Sequence, residues 1–124
     1  MILVDTSVWI DHLRSADDVL AHLLDAGQVV MHPFIVGELA LGSLRRRDLI
    51  LQTLQDLQQV DVATQQEVLH FIARHGLFGR GIGYVDAHLL ASIRLTAGVS
   101  LWTRDKRLLA VAEPLGMAAK PVLQ

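Results

Sequence analysis

The chain of 124 residues contains no cysteine. That excludes a disulfide framework and a thiolate zinc site, and it fits a reducing compartment. Lysine is nearly missing too: of 11 cationic side chains, all but Lys106 and Lys120 are arginine. No long hydrophobic run occurs. The longest stretch without a charged residue, Ala26 to Gly37, is 12 residues and is broken by Pro33, too short to span a bilayer. The opening Met1-Ile2-Leu3-Val4-Asp5 lacks the basic region of a secretory signal, so a soluble, cytoplasmic protein without a membrane partner is expected. His12, His22, His32, His70, His75 and His88 form neither a His-Glu-x-x-His motif nor a His-x3-His pair, which argues against a histidine zinc site. Gly79-x-Gly81-x-Gly83 lacks the Gly-Lys-Ser/Thr ending of a phosphate cradle and reads as a turn or access loop.

What is present is apolar: 52% hydrophobic residues and a mean hydropathy of +0.38. That is enough core for one domain over 1–124, and it rules out a disordered chain. The net charge of −2 conceals an uneven distribution. Residues 1–73 carry 4 basic and 10 acidic side chains, whereas residues 74–107 carry 6 and 2. An acidic front precedes a basic stretch.

Apolar periodicity predicts alternating strands and helices. Ile2-Leu3-Val4 reads as a strand ending at Asp5, and Thr6 or Ser7 offers a cap for a helix running to Arg14. Asp17 to Ala26 is amphipathic and stops at Gly27; Gln28 to Met31 reads as a strand. Pro33 opens a helix to Leu41, and Asp48 to Leu57 is helical in spacing. Val60-Asp61-Val62 is a possible short strand. Thr64 and Glu67 form a capping box for a helix to about Arg74, with Val68, Leu69 and Ile72 expected inward. Tyr84 to Thr96 is apolar nearly all round, the mark of a buried helix, with Gly98 as its stop. Val99 to Thr103 is the next strand, Asp105 to Leu115 is helical until Pro114, and Gly116 to Val122 suggests an edge strand. Such alternation implies an α/β architecture, a mainly parallel central sheet flanked by helices. Chemistry in such sheets gathers at the carboxyl ends of strands, where Asp5 and Asp105 both fall.

Four acids interrupt segments that otherwise read as core or tight turn: Asp5, Glu38, Asp86 and Asp105. A buried carboxylate without a partner costs several kcal/mol, so such groups are paired, protonated or bound to metal. Basic partners nearby are few: lysine occurs only at 106 and 120, and of the nine arginines only Arg104 adjoins one of these acids in sequence. Clustered carboxylates suit a hard cation, Mg²⁺ or Mn²⁺. The alternative is structural: Asp5 caps a helix, Asp86 and Asp105 sit in first turns, and Glu38 faces solvent. Separations of 33, 48 and 19 residues nonetheless permit convergence on one cleft of a parallel sheet.

The opening Leu3-Val4-Asp5-Thr6-Ser7-Val8-Trp9-Ile10, the Glu38 helix, Gly81-Ile82-Gly83-Tyr84-Val85-Asp86-Ala87-His88 and Leu101-Trp102-Thr103-Arg104-Asp105 closely resemble PIN-domain ribonucleases, in particular the VapC-like toxins. The resemblance runs through essentially the whole chain in order. It implies a three-layer α/β sandwich and endonucleolytic cleavage of RNA with Mg²⁺ or Mn²⁺ at Asp5, Glu38, Asp86 and Asp105. Thr6 and Thr103 match the small polar residues beside that site. It also implies a cognate antitoxin, a homodimer and a larger toxin–antitoxin assembly.

Around that frame, Thr6, Ser7 and Thr103 could fix carboxylate rotamers, although Thr6 and Ser7 could equally cap a helix. Arg80, Arg104, Lys106 and Arg107 flank Asp86 and Asp105 and could grip phosphates, as could Arg45, Arg46 and Arg47 unless these form a solvated turn. Trp9, Tyr84 and Trp102 could stack bases or belong to the core. His88 lies two residues from Asp86, roughly 200° around a helix, and reads as structural. Two other classes stay open: a Mg²⁺-binding phosphoacceptor domain, which Lys106 beside Asp105 supports weakly, and a nucleic-acid-binding or interaction module without turnover, which the arginine clusters and the apolar helices support; the hydrophobic faces on Val19 to Leu24 and Leu49 to Leu57 could serve an interface or the core.

Overall fold

A computed structural model describes residues 1–122. Its elements are β1 (Ile2–Val4), α1 (Thr6–Arg14), α2 (Asp18–Asp25), β2 (Val29–Met31), α3 (Pro33–Ala40), α4 (Arg47–Asp56), β3 (Gln58–Gln59), α5 (Gln65–His75), α6 (Tyr84–Leu95), β4 (Ser100–Trp102) and α7 (Lys106–Ala112). The four strands form one sheet in the order β3-β2-β1-β4, every pairing parallel. Helices cover it, as parallel strands with helical crossovers require. Leu3, Val4, Val30, Met31 and Leu101 of the sheet meet Val8, Leu20, Ile35, Leu89, Leu90 and Leu108 of the helices in one fully buried core. Among the described residues no helix is long and apolar enough to cross a membrane.

The strand order places the site. From β1 the chain winds outward through β2 to β3, then returns to add β4 on the other side of β1. The order therefore reverses between β1 and β4, and a crevice opens beyond the carboxyl ends of those strands. Asp5 follows Val4 there, and Thr103 follows Trp102. The register holds them side by side, because Val4 pairs with Trp102 and the Asp5 amide donates to the Trp102 carbonyl at 2.9 Å.

Several elements differ from their sequence patterns, each for a local reason. The strand expected at Val60–Val62 lies earlier, at Gln58–Gln59. Its partner β2 ends where Pro33 turns the chain into α3, so Val60 makes only one further bond, from its amide to the Met31 carbonyl at 3.0 Å. Gly116 to Val122 contributes a single parallel bridge, Leu101 to Ala118, rather than a strand. On α5, Val68 and Phe71 are buried while Leu69 is exposed. That helix packs on α6 along a narrow stripe, and Leu69 lies one position beyond it. Helix α6 ends at Leu95 in an extended Thr96, before Gly98. The capping box at Thr64 is present with both its bonds.

The β2–α3 junction holds a polar linkage within the core. Fully buried His32 accepts the Phe34 amide at its Nδ1 (3.0 Å), capping α3. Accepting there puts the ring proton on Nε2, which faces the Ser92 hydroxyl at 3.1 Å. Ser92 Oγ in turn accepts the Ala63 amide. Burial, with the nearby His88, pushes the His32 pKa down to about 4.

Candidate active site

Asp5 is the most enclosed of the four acids, at 6% exposure. It stands at the N-cap position of α1 but makes no side-chain cap bond; its carboxylate turns instead to two hydroxyls. Thr103 Oγ1 donates to Asp5 Oδ2 at 2.7 Å and Ser7 Oγ donates to the same oxygen at 2.9 Å. Both hydroxyls are oriented from behind. The Asp105 amide donates to Thr103 Oγ1 at 3.0 Å, and the Arg104 amide donates to Ser7 Oγ at 3.1 Å. Each hydroxyl that accepts from a peptide N–H is directed to donate forward, so the turn after β4 locks the Asp5 rotamer. Two bonds on Oδ2 leave Oδ1 without a protein partner among the described residues.

The other acids surround this one. Glu38, on α3, is exposed and is held to α1 by Thr6, whose hydroxyl donates to Glu38 Oε1 at 2.7 Å. Thr6 and Ser7 therefore orient carboxylates and do not cap α1. Asp105 caps α7: its Oδ1 accepts the Arg107 and Leu108 amides at 2.9 and 3.1 Å, leaving Oδ2 open. Asp86 lies in the first turn of α6, half-buried, and its Oδ2 accepts the Gly83 amide at 3.3 Å. Burial pushes the Asp86 carboxyl above the usual range, the Gly83 bond opposes the shift, and the charges of Asp5, Asp105 and Glu38 raise it further. All four acids thus act on one field.

Among the described residues no cationic side chain forms an ion pair with any of the four acids. Among the described residues the ion pairs within 4.0 Å are Arg104–Asp11 and Arg104–Asp17, both at 2.6 Å. Arg104, expected at a phosphate, closes a bridge between the β4 turn and α1 with its loop, its guanidinium 5.5 Å from the Trp102 ring centroid. Asp11 and Asp17 escaped the sequence reading because they lie 93 and 87 residues away. Nor do the acids form a closed cage: among the described residues no three His, Cys, Asp or Glu side chains are grouped tightly enough to hold an ion unaided. Carboxylate oxygens left without protein partners, in the absence of a closed cage among the described residues, suit a cation that keeps several waters and takes one or two carboxylates directly, the habit of Mg²⁺. They do not fit a dehydrated all-protein cage.

The remaining candidates divide by position. Arg80, Lys106 and Arg107 are exposed in the glycine loop and the first turn of α7. Arg107 lies across Gly81, where φ is +82° and an added Cβ would come within 3.2 Å of Arg107 Cδ; the glycine permits that contact. Arg45, Arg46 and Arg47 are exposed where α4 begins, and Arg47 Nη2 donates to the Ala40 carbonyl at 2.9 Å. Trp9 belongs to the core and Tyr84 is exposed. His88 is buried beside His32, Phe34 and Tyr84 and stands apart from the acids in its contacts.

The family model for the PIN domain matches residues 2–114. The chain belongs to the PIN-domain family. Among curated PIN-domain relatives, Ribonuclease VapC32 of Mycobacterium tuberculosis, in strains CDC 1551 / Oshkosh and ATCC 25618 / H37Rv, is 52% identical over 118 residues, covering 95% of each chain. Two solved structures share the PIN fold. FitAcB from Neisseria gonorrhoeae aligns with a TM-score of 0.63 at 21% identity, over 91% of this chain and 94% of that one. FitAB bound to an IR36 DNA fragment aligns with a TM-score of 0.61 at 18% identity, over 91% of each. The four acids, Thr6 and Thr103 all lie within the matched PIN span.

Proposed function

We propose that this protein is a divalent-metal-dependent endoribonuclease, the toxin of a toxin–antitoxin pair, with residues 1–124 forming one nuclease domain. The observation that supports the reading is the charge effect of Asp5, Asp105 and Glu38 on Asp86, with no ion pair to any of the four among the described residues, in a PIN-domain chain half identical to a ribonuclease. When bound, Mg²⁺ or Mn²⁺ supplies Lewis acidity toward the phosphodiester and lowers the pKa of an attacking water. The chain's own part is positional. Ser7 and Thr103 hold Asp5 by Oδ2 and leave Oδ1 without a partner among the described residues; Thr6 holds Glu38 by Oε1; the α7 amides hold Asp105 by Oδ1 and leave Oδ2 open. Asp86, its carboxyl raised by burial and by the three neighbouring acids, is a group whose charged form a bound cation would stabilise.

The likeness over 95% of the chain to Ribonuclease VapC32 supports a toxin that pairs with a cognate antitoxin, and a homodimer and a larger assembly are part of the same proposal. RNA as substrate and the absence of cysteine favour action in the cytoplasm. The phosphoacceptor reading has less support, since Lys106 makes no ion pair with Asp105 within 4.0 Å among the described residues. The test is Asp5→Asn and Asp86→Asn, each with wild-type circular dichroism. Both should lose RNA cleavage by about 10²-fold or more and lose the rise in thermal midpoint that Mn²⁺ gives the wild type. Cleavage retained by both purified variants overturns the assignment.

A further inference from the structure

A cleft of about 610 Å³ opens between α1, α3 and the start of α4, directly beside the acids: Glu38 forms part of its wall. Its rim carries Arg14, Arg45 and Arg46. None of these three guanidinium groups has a side-chain hydrogen bond or ion pair among the described residues. The floor is aliphatic, made by Leu13, Leu39 and Ile50. The volume lies within the ordinary range for a small-ligand site.

We propose that this cleft is the subsite for a nucleotide flanking the scissile phosphate of a single-stranded RNA, with Arg14, Arg45 and Arg46 on its phosphates and the aliphatic floor under its base. The inference rests on the ribonuclease reading and deepens it. A nucleotide within a chain is an apolar base between two anions, and the cleft is an apolar floor under three cations. Glu38 reduces the local charge to +2 and marks the end that runs into the acids, so a strand held at the rim is led toward the crevice. An A-form duplex does not enter a groove between helices, whereas a splayed base does, which is how RNA sequence is usually read. Arg46 supplies an independent sign. It is the single non-glycine residue with positive φ among those described, at +51°. A long side chain is kept where glycine would be less strained.

Thr6 and Arg47 explain why the cleft is held open. Thr6 ties Glu38 to α1, and Arg47, outside the lining, fastens α4 to the end of α3 through the Ala40 carbonyl. Arg14, at the end of α1, lines the same cleft as Arg45 and Arg46. Arg14 carried no signal in the sequence, being a lone arginine at the end of a helix.

The experiment pairs Arg14→Ala/Arg45→Ala with Arg46→Gly. Cleavage of a labelled single-stranded RNA by the double variant should show KM raised about tenfold with kcat within twofold, as loss of two charge-assisted phosphate contacts requires. Anisotropy of the same RNA on the cleavage-dead Asp5→Asn background should show a log–log salt slope less negative by about 1.4, roughly 0.7 for each contact. Arg46→Gly should bind RNA more weakly while its thermal midpoint stays level or rises, which separates RNA contact from a structural role. Unchanged KM and salt slope with cleavage intact overturn the subsite and leave the ribonuclease reading standing. Absence of cleavage by the wild type with Mg²⁺ or Mn²⁺ overturns that reading first. Unchanged RNA affinity with loss of a co-purifying protein assigns the cleft to a protein and also overturns the inference.

Discussion

Replacing Thr103 by valine removes one hydroxyl and preserves the shape of the side chain, so its effect isolates the positioning of Asp5. The bond lost is a 2.7 Å donation to a carboxylate at a residue 6% exposed, and the Asp105 amide loses its acceptor as well. A hydrogen bond to a charged group contributes about 1.5–3 kcal/mol, and no cavity forms because valine fills the same volume. The partly buried Asp105 amide regains some hydration, so the expected loss is about 2 kcal/mol, or about 8 °C in thermal midpoint for a chain of this size. The carboxylate also gains rotamer freedom, since Ser7 alone then holds it. Loss of a residue that orients a ligand typically weakens metal binding 10–100-fold. Urea unfolding at pH 7.5 reads the first quantity and Mn²⁺ titration by calorimetry reads the second, with Thr103→Ser as control because it keeps the hydroxyl. Thr103→Val matching the wild type in both measurements, or Thr103→Ser failing equally, refutes the view that this hydroxyl fixes Asp5.

His32 makes stability depend on pH. Its folded pKa is depressed to about 4 from 6.5, so the unfolded chain binds the proton more tightly, and stability is full above 6.5 and falls as pH drops from there toward 4. Between pH 7.5 and 5 the wild type should lose about 2 kcal/mol more than His32→Gln in urea unfolding; parallel pH profiles would refute the linkage. Arg104→Gln removes two surface ion pairs whose arginine side chain is 38% exposed. It should cost no more than about 1 kcal/mol, diminishing in 1 M salt, and leave the KM for RNA within twofold; a tenfold rise in KM would return Arg104 to the phosphate contacts.

What could be read from the sequence was what is encoded locally. Asp5 was legible because a strand and the carboxylate ending it are consecutive residues, and in a parallel sheet such an end is where chemistry collects. The Thr64–Glu67 box was legible because both of its bonds join residues three apart. The four acids stood out because each interrupts apolar sequence, but their sharing of one field is a property of the strand order β3-β2-β1-β4, which no spacing encodes. Long-range pairing was invisible for the same reason. Arg104 and Asp105 are adjacent in the chain, yet one is drawn away to Asp11 and Asp17 while the other caps α7 beside the acids. Burial failed where cover depends on a neighbour: Leu69 follows the apolar pattern of its helix, but α5 packs chiefly on α6, so the stripe closes before reaching it. Arg46 shows the opposite case, a backbone conformation that its own tripeptide of arginines gives no reason to expect. The four acids stand out in the sequence because a core would reject them, whereas the arginines lining the cleft between α1, α3 and α4 are residues that any surface would accept. Such a cleft is therefore less visible than the acids before the fold is known.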